Sequence, residues 1–192
     1  MAFKLITAPA IEPVSTADAK THLRITHSDD DTYIAALVAA ARKYAEANTR
    51  RAFIDQTWEY TADCFPSEIR LIPGPLDSVT YIKYYDGDGS LQTLSSSAYQ
   101  VDTADSVGLV KEAYGYSWPV VRDDLYNGVQ VRFVAGYGTL ATDVPAHVVH
   151  AIKILVSHWY EAREPVVMGT IVSPVPMSVE ALLNIENVPE IF

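Results

Sequence analysis

The sequence predicts an α+β chain: a helical bundle interrupted by an inserted, small antiparallel β domain and followed by an extended C-terminal arm. Three observations carry that prediction. Apolar residues recur at three- and four-residue spacing up to Arg51 and again from Asp143 to Glu164. Between those stretches the period drops to two, and short β-branched or aromatic runs alternate with turn dipeptides. Beyond Glu164, prolines at 165, 174, 176 and 189 interrupt any regular pattern. The expected organisation is a helical core from residues 1–54 and 139–164, a β domain over 55–138, and an arm over 165–192.

Two N-terminal helices and one long helix in the C-terminal half make up the core. The first starts at Ser15, whose hydroxyl forms an approximate capping box with Asp18, and runs to about Leu23. His27 and Ser28 connect it to a long amphipathic helix. Ser28 can cap that helix, Asp29, Asp30 and Asp31 occupy its first turn, and Arg50 and Arg51 stand at its end, so both termini complement the helix dipole. Ile34, Leu37, Val38, Ala41, Tyr44 and Ala45 fall on one face, with Arg42, Lys43 and Glu46 opposite. Pro145 suits the first turn of the third helix. Its stripe of Val148, Ile152, Leu155, Trp159 and Ala162, widened by Val149, Val156 and Tyr160, predicts burial over much of its circumference. The long helix and the Pro145 helix are expected to pack as neighbours.

The β region reads as strands around Trp58 and Tyr60, over Glu68–Leu71, Val79–Tyr85, Tyr99–Val101, Gly108–Val110 and Val129–Val134. Turn signals at Pro73-Gly74-Pro75, Asp86-Gly87-Asp88-Gly89 and Asn127-Gly128 separate them. A small antiparallel sheet or barrel follows. In the arm, Ser178–Asn184 carries one short helical pattern.

Composition bounds the function. With 192 residues, 49% hydrophobic and 20% charged, the chain can bury an ordinary core. Its formal net charge of −10 is the wrong sign for gripping DNA phosphates or an anionic membrane. Cys64 stands alone, so no internal disulfide is available. The first residues lack the long apolar core of a signal peptide, and no run approaches the roughly 20 apolar residues of a membrane helix. Intracellular synthesis as a soluble protein is expected.

Nothing is arranged for catalysis. His147 and His150 share a helix face three residues apart, which allows a metal pair, but no HExxH and no second cluster accompanies them, and His158 is rotated away. Surface or interface histidines are the simpler reading. Asp86-Gly87-Asp88-Gly89-Ser90 fails as a calcium loop, because Leu91 and Ser97 stand where glycine and glutamate are required; it reads as a hairpin turn. Cys64, with no base motif beside it, is expected to be a buried structural thiol. No GxSxG elbow or phosphate loop is present, and Gly136-Tyr137-Gly138 leads into a proline-started helix without a third glycine. No cofactor and no enzymatic activity are expected. The β region is rich in tyrosine (Tyr60, Tyr81, Tyr84, Tyr85, Tyr99, Tyr114, Tyr116, Tyr126). Without a basic groove, such residues suit protein interfaces or ordinary strand composition better than base stacking.

Several segments, taken in order, resemble one family. They are Pro13-Val14-Ser15 with Ala17-Asp18-Ala19-Lys20 and His22-Leu23-Arg24; Asp29 to Asn48; Gln56-Thr57-Trp58-Glu59; Ile72 to Val79; Tyr99-Gln100-Val101-Asp102; Val131 to Gly138; Val144-Pro145; and His158-Trp159-Tyr160-Glu161 with Arg163-Glu164. This succession is similar to the head–tail connector (adaptor, or head-completion) proteins of tailed bacteriophages, in the longer form that carries a β insertion. The resemblance implies a virion neck protein, assembled in the host bacterial cytoplasm. It implies a homo-oligomeric ring of about a dozen copies below the portal protein, with a tail-side completion, stopper or tail-terminator protein beyond. Genomic DNA would pass through the lumen without specific binding, no membrane is involved, and no chemical step is implied. The candidate docking element is the apolar arm, through Val175, Met177, Val179, Leu182, Leu183, Ile185, Ile191 and Phe192; the alternative is that the arm folds back over its own subunit. Other functions in contention are a different neck module, such as a tail terminator, and a metal enzyme on the His147/His150 face.

Overall fold

The computed structural model describes residues 1–162 and 177–188. The protein is α+β, with four helices and two antiparallel sheets among the described residues. The chain divides into two compact units. One holds Met1–Ala10 with Asp55–Tyr137, and the other holds Ile11–Ile54 with the described residues from Gly138 onward.

The β unit is built on the two-residue period. Its larger sheet contains β1 (Ala2–Thr7), β2 (Gln56–Ala62), β4 (Leu76–Tyr85), β5 (Leu91–Thr93) and β8 (Val129–Ala135), in the order β1-β2-β8-β4-β5. β3 (Ile69–Leu71), β7 (Gly108–Glu112) and β6 (Tyr99–Asp102) form the smaller sheet, in that order. β8 is central and shows why the pattern works. Val129, Val131, Phe133 and Ala135 are all buried, and the residues between them face away. Tyr60 lies opposite Val131 on one side and Ile82 lies opposite it on the other, both buried. On the other face Glu59 and Arg132 are register partners and form an ion pair, and Arg132 and Lys83 both stack over the Tyr81 ring.

β1 is a departure from the sequence reading, which placed residues 1–54 with the helices. Ala2–Thr7 instead pairs antiparallel with β2, with an irregularity between Leu5 and Thr7. The hairpin expected at Asp86–Gly89 joins β4 to β5, and Gly89 takes the positive φ of +80° that the turn requires.

The helical unit holds α1 (Thr16–Leu23), α2 (Asp31–Thr49), α3 (Ala146–Glu161) and α4 (Met177–Leu183). α1 begins as expected: the Ser15 hydroxyl oxygen accepts the Asp18 backbone N–H at 3.0 Å and donates to the Asp18 carboxylate at 2.7 Å. α2 packs against α3, burying Ile34, Val38, Ala41 and Ala45 on one helix and Val148, Ala151, Ile152, Leu155 and Val156 on the other.

Two expectations for α2 require correction. Ser28 does not cap the helix through its side chain, because the helix starts later, at Asp31. The acidic triplet instead ties the helices together: Lys20 of α1 binds the Asp31 carboxylate at 2.6 Å, and the Tyr160 hydroxyl of α3 donates to the Asp30 carboxylate. Arg42, expected opposite the core, is only 5% exposed. It is tolerated there because its guanidinium pairs with two carboxylates, as described below.

Candidate interaction site

The eight arm residues separate into three groups. Val175, Ile191 and Phe192 lie outside the described residues. Val179 and Leu183, one helical turn apart on α4, are buried within the helical unit, where α4 packs on α3 and α2. Met177 and Ile185 are 85% and 65% exposed, and Leu182 is intermediate. This part of the arm therefore rests on its own helices, with its second apolar edge turned to solvent.

A polar clasp holds the segment after α4. Arg51, just past the end of α2, donates from Nε to the Glu186 carbonyl at 2.6 Å and lies 3.2 Å from the Glu186 carboxylate. His147 Nε2 lies 3.0 Å from the other Glu186 carboxylate oxygen. Val188 is buried, and its N–H donates to the Thr49 carbonyl at 3.2 Å. Arg51 thus serves the arm segment more than the helix dipole. His147 Nε2 faces the Glu186 carboxylate and His150 lies edge-on to His22 at 6.3 Å, so the two do not converge on a metal; no metal-binding group of three acidic, His or Cys residues occurs among the described residues.

A second cluster went unrecognised in the sequence. Arg42 donates from Nε to Glu12 at 2.7 Å and from Nη1 to Glu46 at 2.6 Å. The second Glu46 oxygen accepts the Phe53 backbone N–H at 3.1 Å. Burial alone would lower the Arg42 pKa, but the two carboxylates outweigh it and hold the guanidinium above its ordinary value. The network joins the segment before α1, the middle of α2 and the chain leaving α2. Its charges pair with one another, so it fixes geometry.

Cys64 is exposed, contrary to expectation. β2 ends at Ala62, so Cys64 falls in the bend beyond it, where strand alternation no longer assigns a face. The Asp86 loop is closed on itself: the Asp86 carboxylate accepts from Gln92 Nε2 at 2.7 Å and from the backbone N–H groups of Ser90 and Asp88. These donors lower its pKa and occupy the positions a cation would need. The cleft lined by Tyr44, Asn48, Val179 and Leu183 holds about 180 Å³, below the several hundred Å³ of ordinary small-molecule pockets. Of the eight tyrosines, Tyr60 is buried, whereas Tyr114, Tyr116 and Tyr126 are exposed on the connection between β7 and β8.

These features describe a protein whose polar groups tie its own segments together and whose apolar side chains partly face outward. Residues 15–105 match the model of the Phage gp6-like head-tail connector protein family. The resemblance read from the sequence is therefore borne out over that span. No curated protein matches the chain.

Solved structures share the fold. A chain in the neck of an empty GTA particle, computed with C6 symmetry, is 21% identical with a TM-score of 0.78. A chain in the virion of the native gene transfer agent particle is 22% identical with a TM-score of 0.79. One in the neck of the native GTA particle, computed with C12 symmetry, is 21% identical with a TM-score of 0.71. Each likeness covers 100% of this chain and 98% of the other.

Proposed function

We propose that this chain is a structural subunit of a virion neck, at the junction of head and tail. In this reading it forms a closed ring of about a dozen copies beneath the portal protein and joins the DNA-filled head to a tail-side completion protein. The observation that carries the proposal is the combination of the family match over residues 15–105 with a fold shared end to end with chains of GTA necks and virions. The C6 and C12 symmetry of those neck structures supports a ring.

In the same reading the β unit is an insertion into the helical connector core, and residues 165–192 are an arm that contacts the portal. Met177 and Ile185 are the described arm residues free to make that contact, since Val179 and Leu183 are already buried. The net charge of −10 suits a lumen that repels the phosphate backbone and lets DNA slide. Reversing lumen carboxylates to lysine should then slow DNA ejection; unchanged kinetics would remove that part of the proposal.

Assembly without the chain tests the whole. Particles made from a genome lacking this gene should accumulate as filled or leaking heads without tails, and supplying the gene in trans should restore them. Tailed particles that retain their genome would end the proposal.

A further inference from the structure

We infer that the outer face of the larger sheet is a lateral contact between copies of this chain, and that it receives the acidic 102–106 loop of a second copy. The inference rests on the ring reading and names the surface that closes it. One face of that sheet is buried, through Tyr60, Ile82, Val131 and Phe133. On the opposite, outer face, the register places Lys4, Glu59, Arg132 and Tyr81 in one row across β1, β2, β8 and β4, with Lys83 beside it. Lys4 is exposed, and the Glu59 and Arg132 side chains keep 17% and 25% of their surface open.

This face is basic in a chain that is acidic. Of the charged residues that the register puts there, Lys4, Lys83 and Arg132 stand against the single carboxylate of Glu59. The whole chain carries 14 basic and 24 acidic residues. Two of the three cations are held in place. Arg132 pairs with Glu59, and Lys83 and Arg132 lie over the Tyr81 ring at 4.5 and 5.3 Å from its centroid. Fixing them in the folded sheet lowers the ordering cost of a contact made later. Around them Thr57, Thr61, Ser78 and Gln130 are uncharged, so no other charge on those positions opposes an acidic partner.

Charge complementarity selects the occupant. With Arg132 paired to Glu59, two cations remain, too few to grip DNA, which needs several phosphates neutralised together. The cations over Tyr81 also cover its ring against base stacking. Copies of net charge −10 repel one another, so a ring of them needs a contact that sets their few basic groups against acidic ones. The counterpart is in the chain itself. Asp102 ends β6, Asp105 follows three residues on, and both are exposed. Oδ1 of Asp102 accepts the Ala104 N–H at 2.8 Å, and Oδ1 of Asp105 accepts from the Ser106 N–H and hydroxyl. The second oxygen of each carboxylate has no partner among the described residues. Other acidic turns of the β unit are occupied: both Asp86 oxygens accept hydrogen bonds, and both Asp124 oxygens bind Arg122. A head-to-tail contact that closes a ring requires two unlike, complementary patches on one subunit. The basic face of the larger sheet and the acidic loop of the smaller one are such a pair. Each exposed ion pair contributes little, but the ring repeats it at every subunit.

The test supplies variants of the full chain in trans to a genome lacking this gene and counts tailed particles. Lys4→Glu/Lys83→Glu and Asp102→Lys/Asp105→Lys should each melt at the wild-type temperature. Each should lower the yield about a hundredfold or more, since either sets like charges face to face. Combined in one chain, the two double changes exchange the charges and should return the yield to within about tenfold of wild type. The single changes Lys4→Glu and Asp105→Lys, at exposed positions, should lower the yield in the same direction and decide the matter if a double variant melts early. Wild-type yield from the variants overturns the inference, and so does a combined variant no better than either double change. A short DNA duplex that binds the wild type and not Lys4→Glu/Lys83→Glu also overturns it, by making the face a nucleic-acid surface. If the wild-type gene itself restores no tailed particles, the connector reading fails and this inference with it. Variants that assemble normally leave that reading intact and remove this one alone.

Discussion

Arg42→Met should destabilise the helical unit by about 3–4 kcal/mol, and the loss should come from the charge-assisted bonds removed and not from lost packing. Methionine keeps most of the apolar stem and removes the guanidinium. Two short bonds disappear, to Glu12 at 2.7 Å and Glu46 at 2.6 Å. Hydrogen bonds to charged groups contribute roughly 1.5–3 kcal/mol each. The Glu46 side chain is 14% exposed, so water does not readily replace the charged partner it loses. Glu12, at 32%, can partly rehydrate and is discounted. The total therefore falls at the lower end of the 3–5 kcal/mol typical of breaking a buried pair. The discriminating variant is Glu12→Gln/Arg42→Met/Glu46→Gln. It removes all three charges and should recover most of the loss, because a neutral replacement leaves no buried charge to solvate. Urea unfolding followed by the helical circular dichroism signal measures both. A loss below about 1 kcal/mol for Arg42→Met, or a triple variant no more stable than the single, would refute the reasoning.

Three further predictions follow from other parts of the structure. Gly108→Ala would place a Cβ 2.5 Å from Leu76 Cδ2 and 2.6 Å from Leu76 Cβ, so it should cost about 1–3 kcal/mol by thermal denaturation. Adding Leu76→Ala should cost less on that background than alone, and strict additivity would show that the two do not meet. The Asp86 carboxyl is held below its ordinary 3.8 by donors present only in the folded turn. Its contribution to the β4–β5 hairpin is thus complete above 3.8 and is lost as pH falls through the lower folded value; an NMR titration midpoint at or above 3.8 contradicts this. Exposed Cys64 should react with one equivalent of a thiol reagent in native buffer, and Cys64→Ser should change stability by no more than about 0.5 kcal/mol. A thiol that reacts only after unfolding would restore the buried reading.

What the sequence discloses is what neighbouring residues decide. The Ser15–Asp18 cap is a three-residue event and is read correctly. So is β8, because Val129, Val131, Phe133 and Ala135 alternate without interruption. Features that depend on distant partners are hidden. β1 is a strand because β2, some fifty residues away, accepts its edge. Arg42 looked solvent-facing because it is charged, although it lies four residues after Val38 and three before Ala45 on the buried face; Glu46 on its own helix and Glu12, thirty residues upstream, make that burial tolerable. Spacing places Val179, Leu183, Met177 and Ile185 in one apolar segment, yet docking on α2 and α3 buries the first two and exposes the others. The tyrosines of the β region were visible as composition. That Tyr114 and Tyr126 stand outside while Trp118 turns in to Phe65 depends on the folded sheet.

An image reconstruction of the neck of the particle that carries this chain tests the account most directly. The account predicts a closed ring of copies fitting this fold between portal and tail. A neck in which this fold occupies no ring, or in which the chain is found away from the head–tail junction, contradicts it.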